Sequence, residues 1–203
     1  MASSHFDSIA ADWDSDPDKV ARAQEVARAV ADAVPLTPQL RLLEYGAGTG
    51  LVSQALADRV GPVTLADNSS GMRAVLKEKV DAGVLPGARV WDLDLESQPA
   101  PDETFDLIVT SLVLHHVRDL GRVLRSFAEL LAPGGHLCVV DLDREAGTFH
   151  AHDFDGHHGF DRTELTAQLV DVGLGDVSMH DCTDLLKEGV TYSVFLAVAR
   201  RSG

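Results

Sequence analysis

Two hydrophobic patterns alternate along the chain. Short unbroken apolar blocks are separated by stretches in which apolar residues recur at helical spacing. Val20, Val26, Ala27, Val30 and Val34 fit a helix over 17–34, with Asp16 as its cap and Pro17 in its first turn. Pro35 and Pro38 end it. The block Leu40-Arg41-Leu42-Leu43 predicts a buried strand that runs straight into a glycine loop. A helix is expected over 51–59, a strand over 62–66, a helix over 70–82 and strands over 88–91 and 105–110. Leu120 to Leu131 predicts a helix stopped by Pro133-Gly134-Gly135, followed by a strand over 136–142. A helix over 161–173 starts at Asp161 and ends at Gly173. Strands over 177–180 and 191–199 complete the set.

Strand and helix alternate through residue 142, which predicts a mostly parallel sheet with helices on both faces. The stretch 143–160 is the least regular and is rich in His, Asp and Gly. At 203 residues and 45% hydrophobic content, one domain with a sizeable core is expected. Its expected parts are an N-terminal lid and helix (1–38), a cofactor-binding core (39–142) and a substrate-side segment with the last strands (143–203). No apolar run reaches transmembrane length, so no membrane partner is expected. The N-terminus lacks the basic and apolar regions of a secretory signal. Cys138 and Cys182 are too few for a disulfide framework, and with the rest they point to a soluble, cytoplasmic protein. The formal charge of −15, with no run of Lys or Arg, argues against a nucleic-acid partner.

The chemistry starts at Glu44-Tyr45-Gly46-Ala47-Gly48-Thr49-Gly50. A strand–glycine loop–helix unit aims backbone N–H groups at a ligand, and glycines let that ligand come close. No P-loop Lys follows. The dinucleotide fingerprint would need glycine where Leu51 stands, which counts against a nicotinamide enzyme. Glu44 adds negative charge and suits a ligand with a positive one. Asp67 ends the second strand, where an acid accepts ribose hydroxyls. Asp94 follows the third strand, within reach of an adenine. All three loops open at the carboxyl edge of such a sheet, so the acids converge on one crevice.

Leu43-Glu44-Tyr45-Gly46-Ala47-Gly48-Thr49-Gly50 resembles motif I of the class I S-adenosylmethionine-dependent methyltransferases, small-molecule type. Asp67-Asn68-Ser69-Ser70-Gly71-Met72 is similar to the D-x-S-x-x-M segment of that family. Asp94 ahead of Phe105-Asp106, Ser111-Leu112-Val113-Leu114-His115-His116, and Leu130-Leu131-Ala132-Pro133-Gly134-Gly135 resemble later segments in the right order, with Ala132 where Lys is usual. The resemblance implies an α/β, Rossmann-like, doubly wound seven-stranded sheet of order 3-2-1-4-5-7-6 with strand 7 antiparallel. It implies S-adenosyl-L-methionine as cofactor. Glu44 and the backbone of Gly46, Ala47, Gly48 and Gly50 would hold its methionine end. Asp67 would hold the ribose, beside Asn68 and Met72. Asp94 and Leu95 would hold the adenine, and Ser111 would lie under the sulfonium. His5-Phe6-Asp7 through Trp13-Asp14 resembles the family's lid segment, which places Trp13 over the cofactor.

Methyl transfer needs alignment behind an already activated carbon, exclusion of water and, for O–H or N–H acceptors, a base. Histidine suits the last role. Nine histidines are present. His116 follows the fourth strand, and His150, His152, His157 and His158 sit in the irregular stretch among Asp153, Asp155 and Asp161. One of His116, His157 or His158 is the expected base or substrate anchor. The spacing of the 150–158 run matches no standard metal site, so no metal is expected. The expected partner is a small-molecule acceptor, because the chain has no large insertion to dock a macromolecule. A cofactor-binding regulatory or interaction subunit without methyl transfer is the alternative, and the oligomeric state is open.

Overall fold

The structure, a computed structural model, describes residues 2–150 and 154–203. Its strands are β1 (Leu42–Tyr45), β2 (Val63–Ala66), β3 (Arg89–Trp91), β4 (Phe105–Ser111), β5 (Leu131–Leu142), β6 (Leu174–Lys187) and β7 (Val190–Arg201). They form one sheet in the order β3-β2-β1-β4-β5-β7-β6. β1 to β5 are mutually parallel, and β7 runs antiparallel to both β5 and β6. This is the expected doubly wound topology with its reversed strand. The helices are α1 (Ala2–Ile9), α2 (Pro17–Ala33), α3 (Leu51–Leu56), α4 (Ser70–Asp81), α5 (Leu120–Leu130) and α6 (Arg162–Asp171).

The central strands are apolar without alternation because both of their faces are covered. All four residues of β1 are buried. On one side Phe127, Leu124, Leu165 and Leu169 from α5 and α6 pack on the sheet. On the other, Val26, Val30 and Leu56 from α2 and α3 close a second core. Helix starts are fixed by short polar side chains that satisfy first-turn N–H groups. Asp16 accepts from the Asp18 N–H, Ser69 Oγ from Met72 and Asp119 from Arg122. Asp161 accepts from both Thr163 and Glu164.

The larger departures from the expected boundaries each have a local reason. β6 spans 174–187 rather than 177–180. It is an edge strand whose solvent side carries His180, Asp181 and Asp184, a polar run that resembles a loop. Glu188 and Gly189, both at positive φ, make the tight turn into β7. β5 begins at Leu131, which pairs with Phe105 across a bulge before the regular ladder from Leu107. The N-terminal stretch forms α1 and a 3-10 turn over Ala10–Ser15, where no helix was expected. No described helix is long and apolar enough to cross a membrane.

Candidate active site

A cavity of about 460 Å³ opens at the carboxyl ends of β1, β2 and β4. One pole is built from consecutive backbone and two acids. Glu44 is the one charged residue of the fully buried β1. Its Oε2 accepts the Ser53 N–H of α3 at 3.0 Å. Burial pushes its carboxyl up to about 7, against the pull of Ser53. Asp67 is 8% exposed. Its Oδ2 accepts the Gly48 N–H and its Oδ1 the Ser69 N–H, both at 2.8 Å. Burial raises its carboxyl, while those two N–H groups and Arg73 hold it down. Each oxygen keeps a lone pair for a further donor.

The glycines divide their work. A Cβ on Gly46 would run into the Val113 side chain, so this glycine lets the loop lie against the segment after β4. A Cβ on Gly48 would meet no protein atom within 4 Å, and Gly48 lines the cavity. The space it leaves is room for a ligand. Glu44, Ala47, Asn68, Met72, Asp94 and Ser111 line the same cavity. Gly50 and Leu95 do not. Gly50 allows the close approach of Leu76 from α4, and the Leu95 N–H donates to the Tyr45 hydroxyl at 3.1 Å. Both shape the loops behind the site. The Asp94 carboxylate accepts from Glu96 N–H and Ser97 Oγ, which fixes the loop after β3.

The opposite pole is made of rings. His115, His116 and His150 line it, with Phe6, Trp13 and Phe149. His115 is 2% exposed, and its Nδ1 lies 2.6 Å from Oδ1 of Asp141, a fully buried carboxylate at the end of β5. Asp141 also accepts the backbone N–H groups of His115 and Leu142. The ring centroid of His116 is 4.2 Å from that of His115 and 5.4 Å from that of Phe6. Burial and the neighbouring imidazoles push His116 down to about 3, so its ring is neutral across the working pH range. The same causes, with Lys187, bring His150 down to about 4.

The expected histidines therefore part company. His116 faces the cavity. His157 and His158 do not line it: the His157 N–H donates to the His115 carbonyl at 2.7 Å, and the exposed His158 ring pairs with Glu145. His152 and Asp153 lie outside the described residues. His115, Asp141 and His150 are site residues that sequence reasoning missed. The signal for Asp141 was a carboxylate at the end of the apolar run Leu137-Cys138-Val139-Val140, a costly place for a charge without a partner.

The N-terminal segment is tied to the loops of the cofactor pole. Asp7 accepts from Ser69 Oγ at 2.6 Å and the Gly71 N–H at 2.8 Å. Asp14 bonds Thr49 Oγ1 and Lys79 Nζ, each at 2.5 Å. Trp13 lines the cavity, with Lys19 Nζ 4.1 Å from its ring centroid.

Residues 43–139 match the family described as a methyltransferase domain. Those residues, just under half of the chain, carry a methyltransferase domain. Glu44, Gly46 and Asp67 lie within the matched residues. Among curated relatives, the ubiquinone/menaquinone biosynthesis C-methyltransferase UbiE of Vibrio vulnificus is 33% identical over 121 residues, 58% of this chain and 46% of its own length. The chain thus spans about half the length of that relative. Among solved structures, the complex of the Haloferax volcanii Trm112 methyltransferase activator with a methyltransferase gives TM-score 0.77 at 19% identity, covering 98% of both chains. The N-methyltransferase NodS of Bradyrhizobium japonicum WM9, bound to S-adenosyl-L-homocysteine, gives 0.70 at 21% identity, covering 93% of this chain and 89% of NodS. These two likenesses bear on the fold.

The residues present fit S-adenosylmethionine. A buried carboxylate at β1 would meet its cationic amino acid end, the open face of Gly48 leaves room for it, and the Asp67 oxygens keep lone pairs that ribose hydroxyls would use.

Proposed function

We propose that this protein transfers a methyl group from S-adenosylmethionine to a small-molecule acceptor seated against His115, His116 and His150. The observation that carries this is a single cavity with acids and open backbone at one pole and imidazole and aromatic rings at the other. The cofactor supplies a methyl group already activated by a sulfonium. Glu44 and Asp67 hold its two ends and so fix where the methyl points. Trp13 and Phe6, tethered through Asp14 and Asp7, exclude water from the reaction path.

Ligand pockets run from roughly 300 to 1,000 Å³. A cavity of about 460 Å³ that must also take the cofactor leaves room for a small acceptor. The rings at that pole favour a planar or apolar one. His116, neutral at working pH, presents an uncharged ring to the acceptor and helps to seat it. Asp141 fixes the tautomer of His115 and leaves its Nε2 for the cavity.

The test is release of S-adenosylhomocysteine when the protein is incubated with S-adenosylmethionine and a panel of small aromatic hydroxy, amino and thiol compounds. Acceptor-dependent release is expected. Tight cofactor binding with no release for any acceptor would instead favour a regulatory subunit.

A further inference from the structure

His115 and His116 follow β4, and His150 lies beyond β5. One ring nitrogen from each falls within 4.8 Å of the others. Centroid separations are 4.2 Å for His115–His116 and 5.1 Å for His150 to each of the other two. We propose that these three imidazoles bind one divalent transition-metal ion, of which zinc is the type best matched by three histidines, and that its open positions face the acceptor cavity.

Each ring is held for that task by a different neighbour. Asp141 takes Nδ1 of His115 at 2.6 Å, which leaves Nε2 as the ligand atom. A buried carboxylate behind a ligating histidine is the arrangement that orients metal-binding imidazoles and raises their donor strength. The His150 ring stacks on Phe154 with centroids 3.7 Å apart and planes 17° from parallel. His116 is met edge-on by Phe6. Nε2 of His150 is buried without a hydrogen-bond partner among the described residues. Leaving such an atom unsatisfied is unfavourable, and an ion would satisfy it. Lys187, on the cavity wall, is turned to the Phe149 carbonyl, and its charge counts against a cation at His150.

Imidazole sets suit zinc, copper, iron and nickel, and three histidines with open positions leave room for an exogenous ligand. The spacing along the chain gave no such signal, because two ligands are adjacent and the third is far off in sequence. The expectation of no metal was argued for the 150–158 run; the cluster takes only His150 from it.

The role of the ion toward the acceptor rests on the function proposed above. A hydroxyl or thiol acceptor would ligate the ion as its anion, its proton passing to solvent. A lone pair of that oxygen or sulfur then forms the bond to the methyl carbon. The carbon–sulfonium bond breaks, and its electron pair returns to the cofactor sulfur.

The experiment is a titration of the metal-free protein with Co²⁺, without cofactor or acceptor, followed by visible absorption and by competition with Zn²⁺. S-adenosylmethionine calorimetry is run in parallel on the same samples. One equivalent of Co²⁺ with ligand-field bands displaced by Zn²⁺ is expected. His150→Ala, on a loop, and His116→Ala should each weaken binding at least ~10-fold. His180→Ala on the far edge strand should leave it unchanged. Absence of stoichiometric binding, or binding that survives both His150→Ala and His116→Ala, would overturn the site. Metal binding lost while cofactor binding persists removes the metal alone; metal bound with no cofactor affinity removes the methyl-transfer proposal alone.

Discussion

The two poles of the cavity are built in opposite ways. The cofactor pole comes largely from one stretch, Glu44 to Asp94, and works through backbone N–H groups and acids at strand ends. The acceptor pole comes from the N-terminal segment, the turn after β4 and the loop after β5, and works through side-chain rings. A site made of backbone and strand ends is set by the fold and can serve many acceptors. A site made of rings on loops is free to change with the acceptor, because loops tolerate substitution that the sheet does not. The two poles should therefore fail separately when mutated.

The largest effect is expected at Asp67. Asp67→Ala removes the carboxylate proposed to accept the ribose hydroxyls; two charge-assisted hydrogen bonds at about 1.5–3 kcal/mol each put the expected loss of cofactor affinity by calorimetry at ~1000-fold. A loss under tenfold would break the assignment of this pole. His116→Ala should lower turnover roughly 100-fold through misplacement of the acceptor while the cofactor dissociation constant stays within about twofold. Equal losses in both would mean that the poles are one unit.

The next effect is on pH. Glu44 stands at about 7 in the folded protein, above its ordinary 4.5. The cationic cofactor prefers the ionised form, so affinity should be level above pH 8 and fall by about tenfold per unit well below 7. Glu44→Gln should flatten that slope. The stability sign runs the other way in the unliganded protein. Because the folded value is raised, this group's contribution is full below 4.5 and is lost as pH climbs through 7. The smallest effect is expected from deletion of residues 1–15. Losing the partly buried Asp14 contacts with Lys79 and Thr49 should weaken cofactor binding about fivefold, near the top of the roughly 0.2–1 kcal/mol that surface ion pairs contribute. Unchanged affinity and turnover would mean that Trp13 only anchors α2.

The contrast between poles also explains what could be read along the chain. Glu44, Gly48 and Asp67 stood out along the chain because strand ends and glycine turns leave local signatures; the alternation of strand and helix pointed to the parallel sheet, and the family resemblance to its order. The length of β6 was hidden because an edge strand needs only one buried face. His115 and Asp141 meet across β4 and β5, and His150 reaches them through a loop without periodicity. No local pattern encodes such a meeting. His157 and His158 shared the composition of that loop but not its direction, and they pair with backbone and with Glu145 instead.

A crystal structure with S-adenosylmethionine bound would test whether the two poles share one reaction space. The ribose hydroxyls should lie on the Asp67 carboxylate, and the sulfonium methyl should point toward His115, His116 and His150. A methyl directed away from those rings, or a ribose that leaves Asp67 free, would contradict the joint site.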